Sequence, residues 1–90
     1  MQATIWKFAL QTTNQQIVTM PKDAVILCVQ LQDDRPCLWT MADPDQPGQE
    51  RTIRIFGTGH PIADKTTLHY IGTYQLCNGA LVFHVFEEAR

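Results

Sequence analysis

The sequence predicts an all-β protein, a small antiparallel β-sandwich or barrel-like sheet of six to seven strands. Three observations lead there. Apolar and polar residues alternate with a period of two along most of the chain, no long stretch carries a helical period, and turn-forming residues recur between the alternating runs. Ninety residues make one domain, 1–90. With 44% hydrophobic and 18% charged residues, the chain has the apolar content for a core and too little charge for a disordered tail.

The strands follow in order. From Thr4 to Leu10, Trp6, Phe8 and Leu10 share one face and Lys7 and Ala9 the other. A polar break, Thr12 to Gln16, precedes a short strand from Ile17 to Met20, which Pro21-Lys22-Asp23 ends in a turn. Ala24 to Gln32 is the strongest strand, with Val25, Leu27, Val29 and Leu31 on one face. Pro36 to Ala42 returns beside it. A three-residue loop, Asp33-Asp34-Arg35, sets Leu31 against Cys37, Val29 against Trp39 and Leu27 against Met41, whereas a slip of one residue pairs Leu31 with Pro36 and mixes the faces. The loop Asp43 to Gln49 is followed by a strand from Glu50 to Gly57, Ile53 and Ile55 inward and Thr52 and Arg54 outward. Ile62 to Lys65 is irregular. The C-terminal hairpin turns at Asn78-Gly79, a pair suited to the two positive φ angles of a type I′ turn. That turn pairs Leu76 with Leu81, Tyr74 with Phe83 and Gly72 with Val85 on the core face, and Thr73 with His84, Ile71 with Phe86 and His69 with Glu88 on the other. The expected core is Trp6, Phe8, Val25, Leu27, Val29, Trp39, Ile53, Ile55, Tyr74, Phe83 and Val85.

Composition narrows the function. Seven Lys and Arg against nine Asp and Glu, a net charge of -2, argue against nucleic-acid binding and against a polybasic membrane-surface segment. No apolar run is long enough to span a membrane, and the N-terminus lacks the basic-then-apolar order of a secretory signal. Cys28, Cys37 and Cys77 are odd in number and read as small, buried hydrophobes in a reducing cytoplasm. Their spacing to one another and to the histidines suits no metal site.

Thr4-Ile5-Trp6-Lys7-Phe8, Met20-Pro21-Lys22, Pro36-Cys37-Leu38-Trp39, Gly57-Thr58-Gly59-His60, Tyr70-Ile71-Gly72-Thr73 and Gly79 to Phe86 together form a pattern. It resembles a family of short single-domain proteins of unknown function encoded mainly by phages and prophages. The resemblance covers nearly the whole chain. It implies a bacterial host cytoplasm and transfers no activity, cofactor or catalytic residue.

Catalysis finds little support among the residues themselves. There is no serine, which excludes a Ser-His-Asp hydrolase. Cys77 and His84 lie too far apart along one hairpin to exchange a proton. The expectation is therefore a non-enzymatic, cofactor-free binding protein that contacts a host protein, with a host defence or regulatory system as the setting the resemblance suggests. A binder of a nucleotide or small anion is the second reading, and a small enzyme built on a thiol or histidine is the weakest. One place gathers a cation, an aromatic ring, flexible glycines and an imidazole: Arg54, Phe56, Gly57, Thr58, Gly59 and His60. This is the candidate binding surface. Its plain structural reading is a tight bend with positive φ at Gly57 or Gly59, since the segment lacks the Lys-Ser/Thr of a phosphate loop and the third glycine of a dinucleotide site. Thin core and exposed sheet edges lead further to an expected two-fold homodimer, joined through edges or apolar sheet faces.

Overall fold

The computed structural model describes residues 2–63 and 67–89. Seven strands form two antiparallel sheets: β1 (Thr4–Ala9), β2 (Gln15–Pro21), β3 (Val25–Gln32), β4 (Arg35–Ala42), β5 (Gly48–Gly57), β6 (Leu68–Leu76) and β7 (Leu81–Glu88). The first sheet has the order β1-β4-β3 and the second β2-β5-β7-β6. No α-helix occurs among the described residues, and no helix is long and apolar enough to cross a membrane. The all-β sandwich expected from the alternation is therefore the architecture found. The expectation for Ile62 to Lys65 lies partly outside the described residues.

The chain changes sheet at each of its first two connections and again between β4 and β5. Asp23 takes φ 64 in the β2–β3 turn, where the Ala24 amide donates to the Pro21 carbonyl at 3.1 Å. The second and third of these crossings are tied together by the Lys22 amide, which donates to the Pro47 carbonyl at 2.8 Å. The sheets come closest where β3 meets β6. Gly72 permits this approach: a Cβ there would lie 2.7 Å from Cγ1 of Val29 and 3.7 Å from its backbone N and O.

The β3–β4 hairpin departs from the expected register. Gln32 pairs with Arg35, so the loop is the two residues Asp33-Asp34, and Leu31 faces Pro36, Val29 faces Leu38 and Cys28 faces Trp39. Both aspartates take positive φ, 51° and 62°, as a two-residue hairpin turn of matching twist requires. Aspartate tolerates that conformation better than most residues with a Cβ. The one-residue shift exchanges the faces. On β4 Leu38 becomes fully buried in place of Trp39, while on β3 Val29 stays inside and Val25 and Leu27, expected inside, stand 50% and 49% exposed beyond a bulge. This β-bulge, between Ile26 and Cys28, shifts the pairing by a further residue, so that Val25, not Leu27 as expected, lies opposite Met41.

The C-terminal hairpin pairs as expected from Leu76–Leu81 through Gly72–Val85. Asn78 and Gly79 both take positive φ, and the Ala80 amide donates to the Cys77 carbonyl at 3.1 Å. Cys77 also has positive φ, 53°, and this place in the turn leaves it exposed, where all three cysteines were expected to be buried; Cys37 is buried and Cys28 half-buried. Beyond Gly72 the expected partners shift, because a bulge at Ile71 sets Tyr70 opposite Phe86, His69 opposite Glu87 and Leu68 opposite Glu88. The extra residue leaves Ile71 packed against the core and swings Tyr70 to the outer face beside Phe86.

One core holds Leu10, Met20, Ala24, Val29, Leu38, Ala42, Ile53, Ile55, Tyr74 and Val85, with Phe8 and Phe83 packed against it. Of the expected core, Trp6, Val25, Leu27 and Trp39 fall outside this cluster. For Trp39 the cause is the hairpin register, for Val25 and Leu27 it is the bulge between Ile26 and Cys28, which turns Ile26 toward the core in their place, and for Trp6 it is the position of β1 at the sheet's edge. Arg51, only 4% exposed, lies at one end of the core. Its Nε bonds Glu87 Oε2, Nη2 bonds Glu87 Oε1 at 3.0 Å, and Nη1 bonds the Ala24 carbonyl at 3.0 Å and Met20 Sδ at 3.4 Å. Thr40 is fully buried on β4, and its hydroxyl has no hydrogen-bond partner among the described residues. Tyr74 closes the core from β6, its hydroxyl 2.8 Å from Thr12 Oγ1. Burial pushes its pKa above the ordinary 10.0, with the Thr12 bond opposing.

Three outcomes follow from the core. Arg51→Ala removes the buried guanidinium with its two bonds to the half-buried Glu87 carboxylate and its bond to the Ala24 carbonyl, so urea denaturation is expected to show a loss of about 3 kcal/mol. Thr40→Val replaces an unpartnered buried hydroxyl with a methyl of the same shape and is expected to stabilise by about 1 kcal/mol in the same assay. Tyr74 ionises less readily folded than unfolded, so its contribution is complete below pH 10.0 and declines as the pH rises through the higher folded value. The stability gap between the parent and Tyr74→Phe should therefore narrow in melts run above pH 10.0.

Candidate functional site

Strand alternation decides what the second sheet shows to solvent. Ile53 and Ile55 point into the core, so Thr52, Arg54 and Phe56 of β5 point out. By the ladder, Arg54 lies beside Phe86 and Phe56 beside His84 on β7. The β6 bulge adds Tyr70 next to Phe86. The result is a continuous row across three strands. Arg54 Cζ sits 5.0 Å above the Phe56 ring, Phe56 meets Phe86 edge-on at 5.9 Å, and Phe86 meets Tyr70 edge-on at 5.5 Å. Tyr70, at the end of the row, is 61% exposed.

Arg54 is held in place by more than the ring. Its Nε donates to the Asn14 carbonyl at 3.2 Å and its Nη1 to Glu88 Oε1 at 3.1 Å. An incoming anion would compete with Glu88 for that guanidinium. Beside the row, His84 is fixed through both ring nitrogens, Nε2 2.6 Å from Thr58 Oγ1 and Nδ1 3.0 Å from Thr73 Oγ1. The Thr73 hydroxyl in turn contacts the Tyr70 hydroxyl. No thiol or carboxylate is among the hydrogen-bond partners of His84.

The six residues singled out from sequence divide into two groups. Arg54, Phe56 and His60 line one pocket of about 360 Å³ with Asn14, Pro61 and Ala63. Gly57, Thr58 and Gly59 build the bend behind it. The His60 amide donates to the Gly57 carbonyl and the Thr58 amide to the Val82 carbonyl, both at 3.1 Å, so these two donors are spent within the fold. Gly59 carries the positive φ of the turn, 85°. Gly57 makes room for the imidazole, since a Cβ there would lie 2.8 Å from the His60 ring. Sequence reasoning missed Tyr70, Asn14 and Glu88 as neighbours of this surface. Gly72 was the available signal for Tyr70, because a glycine within a strand often marks a bulge.

The arrangement suits recognition by contact. It offers rings and a cation in fixed positions, and the described residues contain no cluster of His, Cys, Asp and Glu that could hold a metal ion. Fold and surface together define a small two-sheet β protein with an exposed aromatic row on its larger sheet. The chain belongs to the family described as Domain of unknown function DUF7352, whose model matches residues 1–90. No curated protein and no solved structure matches it.

Proposed function

We propose that the protein is a non-enzymatic binding protein that recognises a protein partner through the outer face of its four-stranded sheet. The Arg54–Phe56–Phe86–Tyr70 row supports this reading. Tyr, Phe and Arg are the residues enriched where proteins meet, and the ring contacts hold these side chains in place before a partner arrives. Less freedom is then lost on binding. The resemblance to phage and prophage proteins supplies the setting: the bacterial cytoplasm, with a host defence or regulatory protein as the partner.

A second reading rests on the pocket that Arg54, Phe56 and His60 line. At about 360 Å³ it is large enough for a nucleotide base or a small anion. Glu88 already occupies the guanidinium, which favours the protein partner.

The test is a pull-down from bacterial lysate with mass spectrometry, run on the parent, on Tyr70→Ala and on the double variant Arg54→Ala with His60→Ala. The parent is expected to capture one host protein that Tyr70→Ala loses by at least about tenfold while its circular dichroism is unchanged. Equal capture by Tyr70→Ala and the double variant overturns the assignment of this face. A thermal shift with nucleotides that the double variant abolishes, and Tyr70→Ala keeps, selects the pocket instead.

A further inference from the structure

The two sheets have four edges, and three of them carry a device that blocks pairing with another strand. β2 ends in Pro21, β3 is broken by the bulge at Leu27, and β6 is broken by the bulge at Ile71. β1 has no proline, bulge or acidic residue. Its one charge, Lys7, is the side chain that commonly guards an edge. Here Lys7 Nζ reaches inward over the sheet to Gln32 Oε1 at 2.5 Å. β1 is also exposed on both faces, with Ile5 at 52% on one and Trp6 on the other.

The backbone polarity of this edge is fixed. The Leu10 amide donates to the Pro36 carbonyl at 2.8 Å, which makes that pair a hydrogen-bonded one. By strand alternation Thr4, Trp6 and Phe8 likewise aim their N–H and C=O groups at β4. Ile5, Lys7 and Ala9 therefore aim theirs outward. A second copy of β1 running antiparallel can meet these groups only in registers that set outward residues opposite one another. The register centred on Lys7 opposes two lysines. The register centred on Ile5 engages little of the strand, and the one centred on Phe8 sets Ile5 against Gln11 beyond the strand's end and places on the axis a ring already packed against the core. The register centred on Trp6 pairs Thr4 through Phe8, sets Ile5 of each copy opposite Lys7 of the other with both N–H···O bonds made, and brings the two Trp6 rings together.

From this complementarity we infer that the protein self-associates through β1, joining two three-stranded sheets into one across a two-fold axis at Trp6. The surface area agrees. A folded monomer of 10.2 kDa exposes about 5,300 Å² by the usual scaling, whereas this chain exposes 5785 Å². An interface of one short strand per copy is small, so the dissociation constant is expected at about 1–100 micromolar. The inference stands apart from the proposed function, because β1 belongs to the other sheet.

Light scattering on a size-exclusion column from about 1 to about 500 micromolar should move the parent from 10.2 kDa toward twice that mass. Lys7→Pro deletes an outward N–H and no β1–β4 bond, so it should stay at 10.2 kDa with an unchanged melt. Should that variant fail to fold, Ile5→Lys, which opposes two lysines across the axis at an exposed site, must also remain monomeric. In a Cys77→Ser background, Trp6→Cys should form a covalent dimer under mild copper-catalysed air oxidation, because the two Cα atoms at this pair stand about 4.5 Å apart. Thr4→Cys should not. A parent that stays monomeric throughout, Lys7→Pro and Ile5→Lys that dimerise like the parent, or cross-linking at Thr4→Cys without Trp6→Cys overturns the inference.

Discussion

The Arg51 guanidinium, buried at one end of the core, holds two segments that are distant from it and from each other in sequence. From β5 it reaches Glu87 on β7, and the Ala24 carbonyl just ahead of β3 together with Met20 at the end of β2. Ala24 lies in the connection that leads into β3 of the other sheet, so this one side chain ties that crossing to two neighbouring strands of its own sheet. A planar group with several donors can do this, whereas a lysine at the same place would offer a single charged point. The charge needs a counter-charge so far from water, and Glu87 provides it in bidentate form. The apolar cluster fills the rest of the space between the sheets. Arg51 sets where its polar end lies.

Much of this architecture was legible in the sequence. All seven strands show as alternating runs, and the Asn78-Gly79 turn fixes the hairpin from Leu76–Leu81 to Gly72–Val85. Two kinds of information were hidden. The first was loop length at Asp33-Asp34-Arg35. A three-residue loop gives a cleaner apolar face, and the chain instead uses two aspartates at positive φ. Local turn geometry outweighed the pattern, and the bulge at Leu27 moved the pairing one residue further from it. The second was the pairing of β1 and β2 with strands far along the chain. Nothing in their own residues states that β1 joins the β3–β4 sheet while β2 joins β5, so the buried Arg51 and the exposed Trp6 could not be foreseen.

The candidate surface was legible in a similar, partial way. Alternation along β5 puts Arg54 and Phe56 on one face, and the glycines turn His60 back toward them, which is enough to place the three around one pocket. The rest of the aromatic row depends on a bulge that no alternation announces. Without it Tyr70 would alternate out of step with Phe86, and the row would stop at two rings. Glu88 and Asn14 reach Arg54 from β7 and from the β1–β2 connection, which are neighbours only once the second sheet has assembled.

The same long-range pairing has a consequence for synthesis. β1 finds its partner only when the segment from Cys37 to Ala42 exists, and β2 waits for Gly48 to Arg54. A ribosome releases the chain from its N-terminus, so the first two strands emerge before anything that can pair with them. During that interval Trp6, Phe8, Ile17 and Val18 have no sheet to join. Contacts of such sequence separation also form slowly once the chain is complete, because a long loop must close first. The hairpin of β6 and β7 also closes over a short loop, and it comes last off the ribosome. Folding of the finished chain can start at that end, adding β5 and then β2, while the N-terminal strand is among the last to dock despite being made first.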